Sequence, residues 1–100
     1  MRRGTTPTHS FTIPFSVANV ADALIVYAQS EKIMLQKTAS QCHMEGNTLS
    51  VELTQEETFL FDSGKKVQIQ IRVLTIEGKA LASNIITTDV AKCLSNEVLG

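Results

Sequence analysis

The side chains best suited to nucleophilic or metal chemistry are two cysteines, Cys42 and Cys93, and two histidines, His9 and His43. Cys42 and His43 are adjacent, so on a strand they point to opposite faces and cannot share a metal ion. A zinc site would need more ligands at closer spacing. A cysteine nucleophile would need a base carried to it by the fold, with His9 and His43 as the only histidine candidates. A disulfide-dense secreted domain would carry four or more cysteines, so the expectation is two reduced, unbridged thiols. Glu56 and Glu57 are neighbouring carboxylates, but on a helical turn they diverge by about 100°. Helix capping accounts for Glu57 without chemistry. Asp22, Glu31 and Asp62 sit in expected loops and would bind a cation only if the fold gathered them. The phosphate-binding glycine loops, His-Glu-x-x-His and Gly-x-Ser-x-Gly are all absent. Tyr27 is the single tyrosine, without interleaved aromatics to stack a base, and is expected as a core anchor. The expectation is a non-enzymatic protein with no catalytic, cofactor-binding or metal-ligating residue and no cofactor.

The elements that would position these residues read as strands. Phe11, Ile13 and Phe15 alternate with polar residues or Pro14, which marks a strand at an edge or at its end. Leu24–Gln29 is rich in β-branched and aromatic residues and is expected to be covered on both faces. Ile33–Thr38 returns as a hairpin, although Ser30-Glu31 is weak turn chemistry beside Asn-Gly or Asp-Gly. Cys42–Glu45, the Gly46-Asn47 turn and the alternating Leu49, Val51 and Leu53 form a second hairpin. Thr54-Gln55-Glu56-Glu57 spells a capping box, so one short helical turn is expected near residues 55–61, anchored by Phe59, Leu60 or Phe61. Val67, Ile69, Ile71 and Val73 give the longest period-two run, and their strand should be central. Lys79 to Asp89 reads as one long strand with a bulge near Ser83-Asn84 that lets Leu81 and Ile86 both face inward. Val90–Gly100 reads as a frayed helix or a last edge strand.

Strands separated by turns every 8–12 residues, with no long helix between them, indicate an all-β antiparallel β-sandwich, immunoglobulin-like, of six to seven strands. Its expected core is Phe11, Phe15, Leu24, Val26, Leu35, Leu49, Val51, Leu53, Phe61, Val67, Ile69, Ile71, Val73 and Ile86. One hundred residues allow one such domain. Residues 1–8 have almost nothing to bury and are expected as a flexible N-terminal arm, leaving residues 9–100 as the single sandwich domain. Hydrophobic residues make up 43% of the chain and charged residues 19%, too apolar for disorder. A net charge of -1 gives no basic face for nucleic acid. No apolar run approaches the roughly 18 residues of a membrane span, and Met1-Arg2-Arg3-Gly4 does not open a secretory signal.

Three segments together, Arg2-Arg3-Gly4-Thr5-Thr6-Pro7-Thr8, Leu53-Thr54-Gln55-Glu56-Glu57-Thr58 and Ala82-Ser83-Asn84-Ile85, resemble a family of small prophage proteins from Gram-positive gut bacteria. The order and approximate spacing match over nearly the whole chain. These proteins are similar to the N-terminal β-sandwich of phage baseplate upper proteins. The resemblance implies a phage-type structural or assembly protein associated with a tail or baseplate. It also implies the bacterial cytoplasm during assembly, with the virion as a further location. It supplies no catalytic residue.

Partner contacts are expected at Arg2, Arg3 and Pro7 on the arm and at Gln68, Gln70 and Arg72 on the polar face of the central strand. The arm would add to a neighbour's sheet edge, with Arg2 and Arg3 meeting acidic residues such as Glu56 and Glu57 there. Open sheet edges and a near-neutral charge point to a homo-oligomer, or to pairing with other phage tail proteins. The alternative is a small regulatory or ligand-binding β-domain, which a pocket above about 300 Å³ with convergent polar groups would favour.

Overall fold

A computed structural model describes residues 1–100. The strand Val67–Thr75 organises its larger sheet. Alternation buries Val67, Ile69, Ile71 and Val73 and turns Gln68, Gln70, Arg72 and Leu74 outward. In chain order the strands are β1 (Thr8–Thr12), β2 (Val20–Gln29), β3 (Lys32–Thr38), β4 (His43–Glu45), β5 (Thr48–Glu52), β6 (Val67–Thr75), β7 (Ala80–Ala82) and β8 (Ile86–Thr88). One short helix, α1, spans Gln55–Thr58. Strands β1, β5 and β4 form a three-stranded antiparallel sheet in that order. Strands β3, β2 and β6 form the larger sheet, with β7 and β8 both pairing with the far side of β6. Residues from both sheets pack into one core, so the all-β sandwich forms as expected, with eight strands.

The strand order departs from the immunoglobulin arrangement at one point. There the second strand lies between the first and fifth and faces the third across the core. Here β1 pairs directly with β5, and β2 sits between β3 and β6. The two-residue link Ser30-Glu31 is the reason. A tight hairpin keeps its strands in one sheet, and both linking residues take positive φ, 49° and 66°, as such a turn demands.

The register of β2 differs from the expected core. Ala23, Ile25, Tyr27 and Gln29 face inward, whereas Leu24 and Val26 lie half-buried on the outer face. Apolar residues on both faces leave no period-two signal, and a one-residue slip exchanges the faces. Gln29 fixes the choice. Its amide Nε2 donates to the Asp62 carbonyl at 2.9 Å and its Oε1 accepts the Asp62 N–H at 2.8 Å. On β3, Leu35 faces Tyr27 and Ile33 faces Ala28, so Met34 is bulged out of the pairing.

The expected long strand from Lys79 to Asp89 is instead two short ones. Between them the Ser83 Oγ accepts the Ile71 N–H at 3.0 Å, while the Ser83 N–H donates to the Ile71 carbonyl at 2.8 Å. A side chain replaces one rung of the ladder, and the edge breaks there. Leu81 pairs with Val73 and Ile86 with Ile69, so both share the inner face, yet each remains 45% exposed. Ile86 is therefore not a core residue: a sheet of three strands does not cover one of five. Phe11, Phe15 and Leu35 are also only partly buried, while Ile13, Ile25 and Val90 join the core.

The helical turn follows the sequence closely. The Thr54 Oγ1 accepts the Glu57 N–H at 3.1 Å and the Glu57 carboxylate accepts the Thr54 N–H at 2.8 Å. Phe61 is its fully buried anchor. Residues 1–8, expected as a free arm, pack on the fold instead. Arg2 bridges Ala91, the Gly4 N–H donates to the Thr58 Oγ1 at 2.9 Å, and the Leu53 N–H donates to the Pro7 carbonyl at 3.0 Å. The arm's main chain, not its side chains, makes most of these bonds, which is why its composition concealed them. The last residues form neither helix nor strand; the Leu99 main chain pairs both ways with the Gln55 side-chain amide. No helix is long and apolar enough to cross a membrane.

Candidate interaction surfaces

The six residues expected to meet a partner fall into two groups that the fold does not unite. Arg2, Arg3 and Pro7 are engaged within their own chain. The Arg2 guanidinium donates to the Lys92 carbonyl at 2.6 Å. Arg3 stacks over the Phe59 ring, 5.3 Å from its centroid, and donates to the Phe59 carbonyl at 3.3 Å. Glu57, a suggested acceptor for a neighbour's arginine, already pairs with Lys37 at 2.6 Å.

Gln68, Gln70 and Arg72 lie on the uncovered outer face of β6. Across the β2 ladder they stand opposite Ala28, Val26 and Leu24. Gln70 is tied down, its amide donating to the Ser83 carbonyl at 3.0 Å. Arg72 is exposed, forms no ion pair, and borders a shallow depression of about 270 Å³ with Asp22, Leu24 and Leu74.

A polar cluster closes one end of the sandwich. His9 Nδ1 lies 2.7 Å from the Tyr27 hydroxyl. Burial pushes the Tyr27 hydroxyl above its ordinary range and pulls His9 below its own, so a neutral phenol and a neutral imidazole share this hydrogen bond. The Tyr27 ring also packs on Phe61, which bears out its role as a core anchor. Lys37 faces inward because it pairs with Ile25, and its ammonium meets the Glu57 carboxylate with side chains 8% and 20% exposed. Burial opposes the ionisation of Glu57, but hydrogen bonds from Lys37 and from the Thr54 backbone, with the Lys37 charge, carry it below the usual carboxylate range. Burial raises the Cys42 thiol, which donates to the Thr38 carbonyl at 3.3 Å; this is a protonated thiol rather than an activated nucleophile. Both cysteines are free. His43 turns away towards Glu45 on an exposed strand, and no three His, Cys, Asp or Glu side chains converge on a point. Each polar group in the cluster has a partner, and together they hold β1, β2, β3 and α1 in register.

Sequence reasoning missed the fourth feature, a groove of about 300 Å³ on the side where both sheets end. Phe11, Ile13 and Phe15 line one wall, Ile71, Val73 and Leu81 the other. Thr12 and Ser83 are its only polar side chains, and no charge enters it. A wider depression beside it, about 410 Å³, lies over Pro14–Ser16 and Gly46–Asn47 and likewise has no charged lining. The signal for the groove was present in Ala80–Thr88, nine residues without a charge, a proline or a glycine. Comparison with known protein families, curated proteins and solved structures finds no match.

Proposed function

We propose that this is a non-enzymatic, phage-type structural or assembly protein, tail- or baseplate-associated, that acts through protein–protein contacts. One observation carries the contact-based part of that reading. Five of the ten large apolar side chains left exposed lie between Leu74 and Ile86, from the end of β6 through the β6–β7 turn to the β7–β8 edge of the larger sheet. Concentrated apolar exposure of this kind is characteristic of interaction sites. The phage setting rests on the resemblance of the three sequence segments to small prophage proteins. A ligand-binding reading is less favoured, because small-molecule sites place a few polar groups to orient their ligand and this groove has no such convergence. The test is mass spectrometry of particles and assembly intermediates purified after induction of a strain carrying the gene. The protein is expected in them at a fixed ratio to tail proteins; its absence from every particle fraction overturns the reading.

A further inference from the structure

Two segments outside the sandwich strands run side by side, 1–5 and 91–99. They meet in a parallel bridge between Arg2 and Ala91. The Ala91 N–H donates to the Met1 carbonyl at 2.8 Å, and the Arg3 N–H donates to the Ala91 carbonyl at 3.2 Å. Side chains add to the pairing. Arg2 holds the Lys92 carbonyl, and the Arg3 guanidinium donates to the Asn96 Oδ1 at 3.2 Å.

The Met1 amino group donates to the Asp89 carbonyl at 2.9 Å. The other polar attachments of the two segments to the rest of the fold lie within Gln55–Phe59. The Thr58 Oγ1 accepts the Gly4 N–H at 2.9 Å and lies 3.0 Å from the Thr5 carbonyl. The Arg3 guanidinium sits over the Phe59 ring and donates to the Phe59 carbonyl. The Gln55 side-chain amide bonds the Leu99 N–H and the Leu99 carbonyl, each at 2.9 Å. Two fixed points separate the segments from the strands. The Pro7 carbonyl accepts the Leu53 N–H at 3.0 Å, and the carbonyl of Val90, a core residue, accepts the Gly64 N–H at 3.3 Å.

Little apolar burial backs these bonds. Among the apolar side chains of the two segments, Met1 alone packs against the core, while Leu94 and Leu99 are 97% and 75% exposed. Arg3 Nε is buried without a partner, which penalises the docked form. Segments that bond to each other and to one short site, over little apolar contact, separate from a fold more readily than its core strands do. They also separate together, because removing one strips hydrogen bonds from the other. We propose that residues 1–5 and 91–99 form one strap across α1, hinged at Pro7 and Val90, that opens and closes as a unit while the sandwich stays folded. Opening bares the Phe59 ring, next in the chain to exposed Leu60, so the strap covers or presents an apolar spot separate from the groove. This device goes beyond the contact-based reading and does not depend on it.

Native-state hydrogen exchange of the full chain tests the proposal at four amides. Arg3 and Gly4 report on one half of the strap, Ala91 and Leu99 on the other. All four should exchange through one common opening, at least about a hundredfold more frequent than the opening of the β2–β6 ladder. Gln55→Ala removes both bonds to Leu99 and touches residues 1–5 nowhere through its side chain. It should speed exchange at Arg3 and Gly4 by the same factor as at Leu99, roughly fivefold or more, with the β2–β6 amides unchanged. Asn96→Ala, which removes the bond to Arg3, should likewise speed Arg3 and Leu99 together. Acceleration confined to Leu99 in the first variant, or to Arg3 in the second, overturns the proposal. So do four amides with unequal openings, or four that exchange only when the whole chain unfolds.

Discussion

At the scale of single residues, the polar cluster is governed by burial. His9 titrates below the ordinary value of 6.5 because burial penalises its charged form. The folded state therefore binds the proton less readily than the unfolded chain. Its contribution is complete above the unfolded pKa and is lost as pH falls through 6.5 towards the folded value. The melting temperature should drop between pH 7 and pH 5.5, and His9→Gln should flatten that part of the profile; an equal drop in the variant would show that His9 is not responsible. The Glu57 contribution disappears in a separate, more acid window below its ordinary 4.5, since its folded pKa is also lowered. The Lys37–Glu57 pair should respond unequally to loss of either partner. Glu57→Gln leaves a buried ammonium unpaired and should cost about 2 kcal/mol in urea denaturation, less than the roughly 3–5 of a fully buried pair because Glu57 is partly solvated. Lys37→Met keeps an apolar stem against the core and should cost about 1 kcal/mol or less. The reverse ranking would show that the carboxylate, not the ammonium, is the group that needs its partner.

At the scale of elements, the β2–β3 turn holds strain that its sequence does not relieve. Ser30 and Glu31 both adopt left-handed φ without being glycine or asparagine. Such a conformation costs roughly 1–2 kcal/mol per residue. Glu31→Gly should raise stability by about 1 kcal/mol with the hairpin unchanged, and a loss on thermal denaturation would count against this account. The docked arm imposes the opposite constraint at Gly4. Its φ is 75°, and an added Cβ would lie 2.7 Å from the Phe59 ring held beneath Arg3. Gly4→Ala should cost about 1–3 kcal/mol and loosen the arm, visible as faster amide exchange at Ala91, whose N–H donates to the Met1 carbonyl. An arm that contributed nothing to folding would tolerate the change.

At the scale of the whole molecule, the sandwich has one core to which both sheets contribute, so they should not melt separately. Phe61 follows α1, between the two sheets, fully buried and 5.9 Å from the Tyr27 ring. Phe61→Ala should remove about 3–5 kcal/mol through the cavity it leaves. Far-ultraviolet dichroism and Tyr27 fluorescence should still trace one coincident transition. Two separated transitions would mean that the sheets are independent units.

Much of this architecture was legible in the amino-acid order alone. Alternation at Val67–Val73 and Leu49–Leu53 assigned those strands and their buried faces, because a period of two exposes only one apolar face. Thr54 and Glu57 announced α1 through a capping bond pattern that needs just four residues. These features are local, and local chemistry decides them. The face of β2, the inward turn of Lys37 and the docking of residues 1–8 were decided only by tertiary structure. Leu24–Gln29 is apolar on both faces, so its register depended on Gln29 finding the Asp62 backbone 33 residues away. Lys37 reached the interior through a bulge at Met34, and the arm was held by main-chain bonds to Leu53, Thr58 and Ala91, which side-chain composition does not encode. The groove arose the same way: the alternating apolar residues of its walls could be read in sequence, but the break of the last strand at Ser83 and the unequal widths of the two sheets, which left Leu81 and Ile86 uncovered, could not.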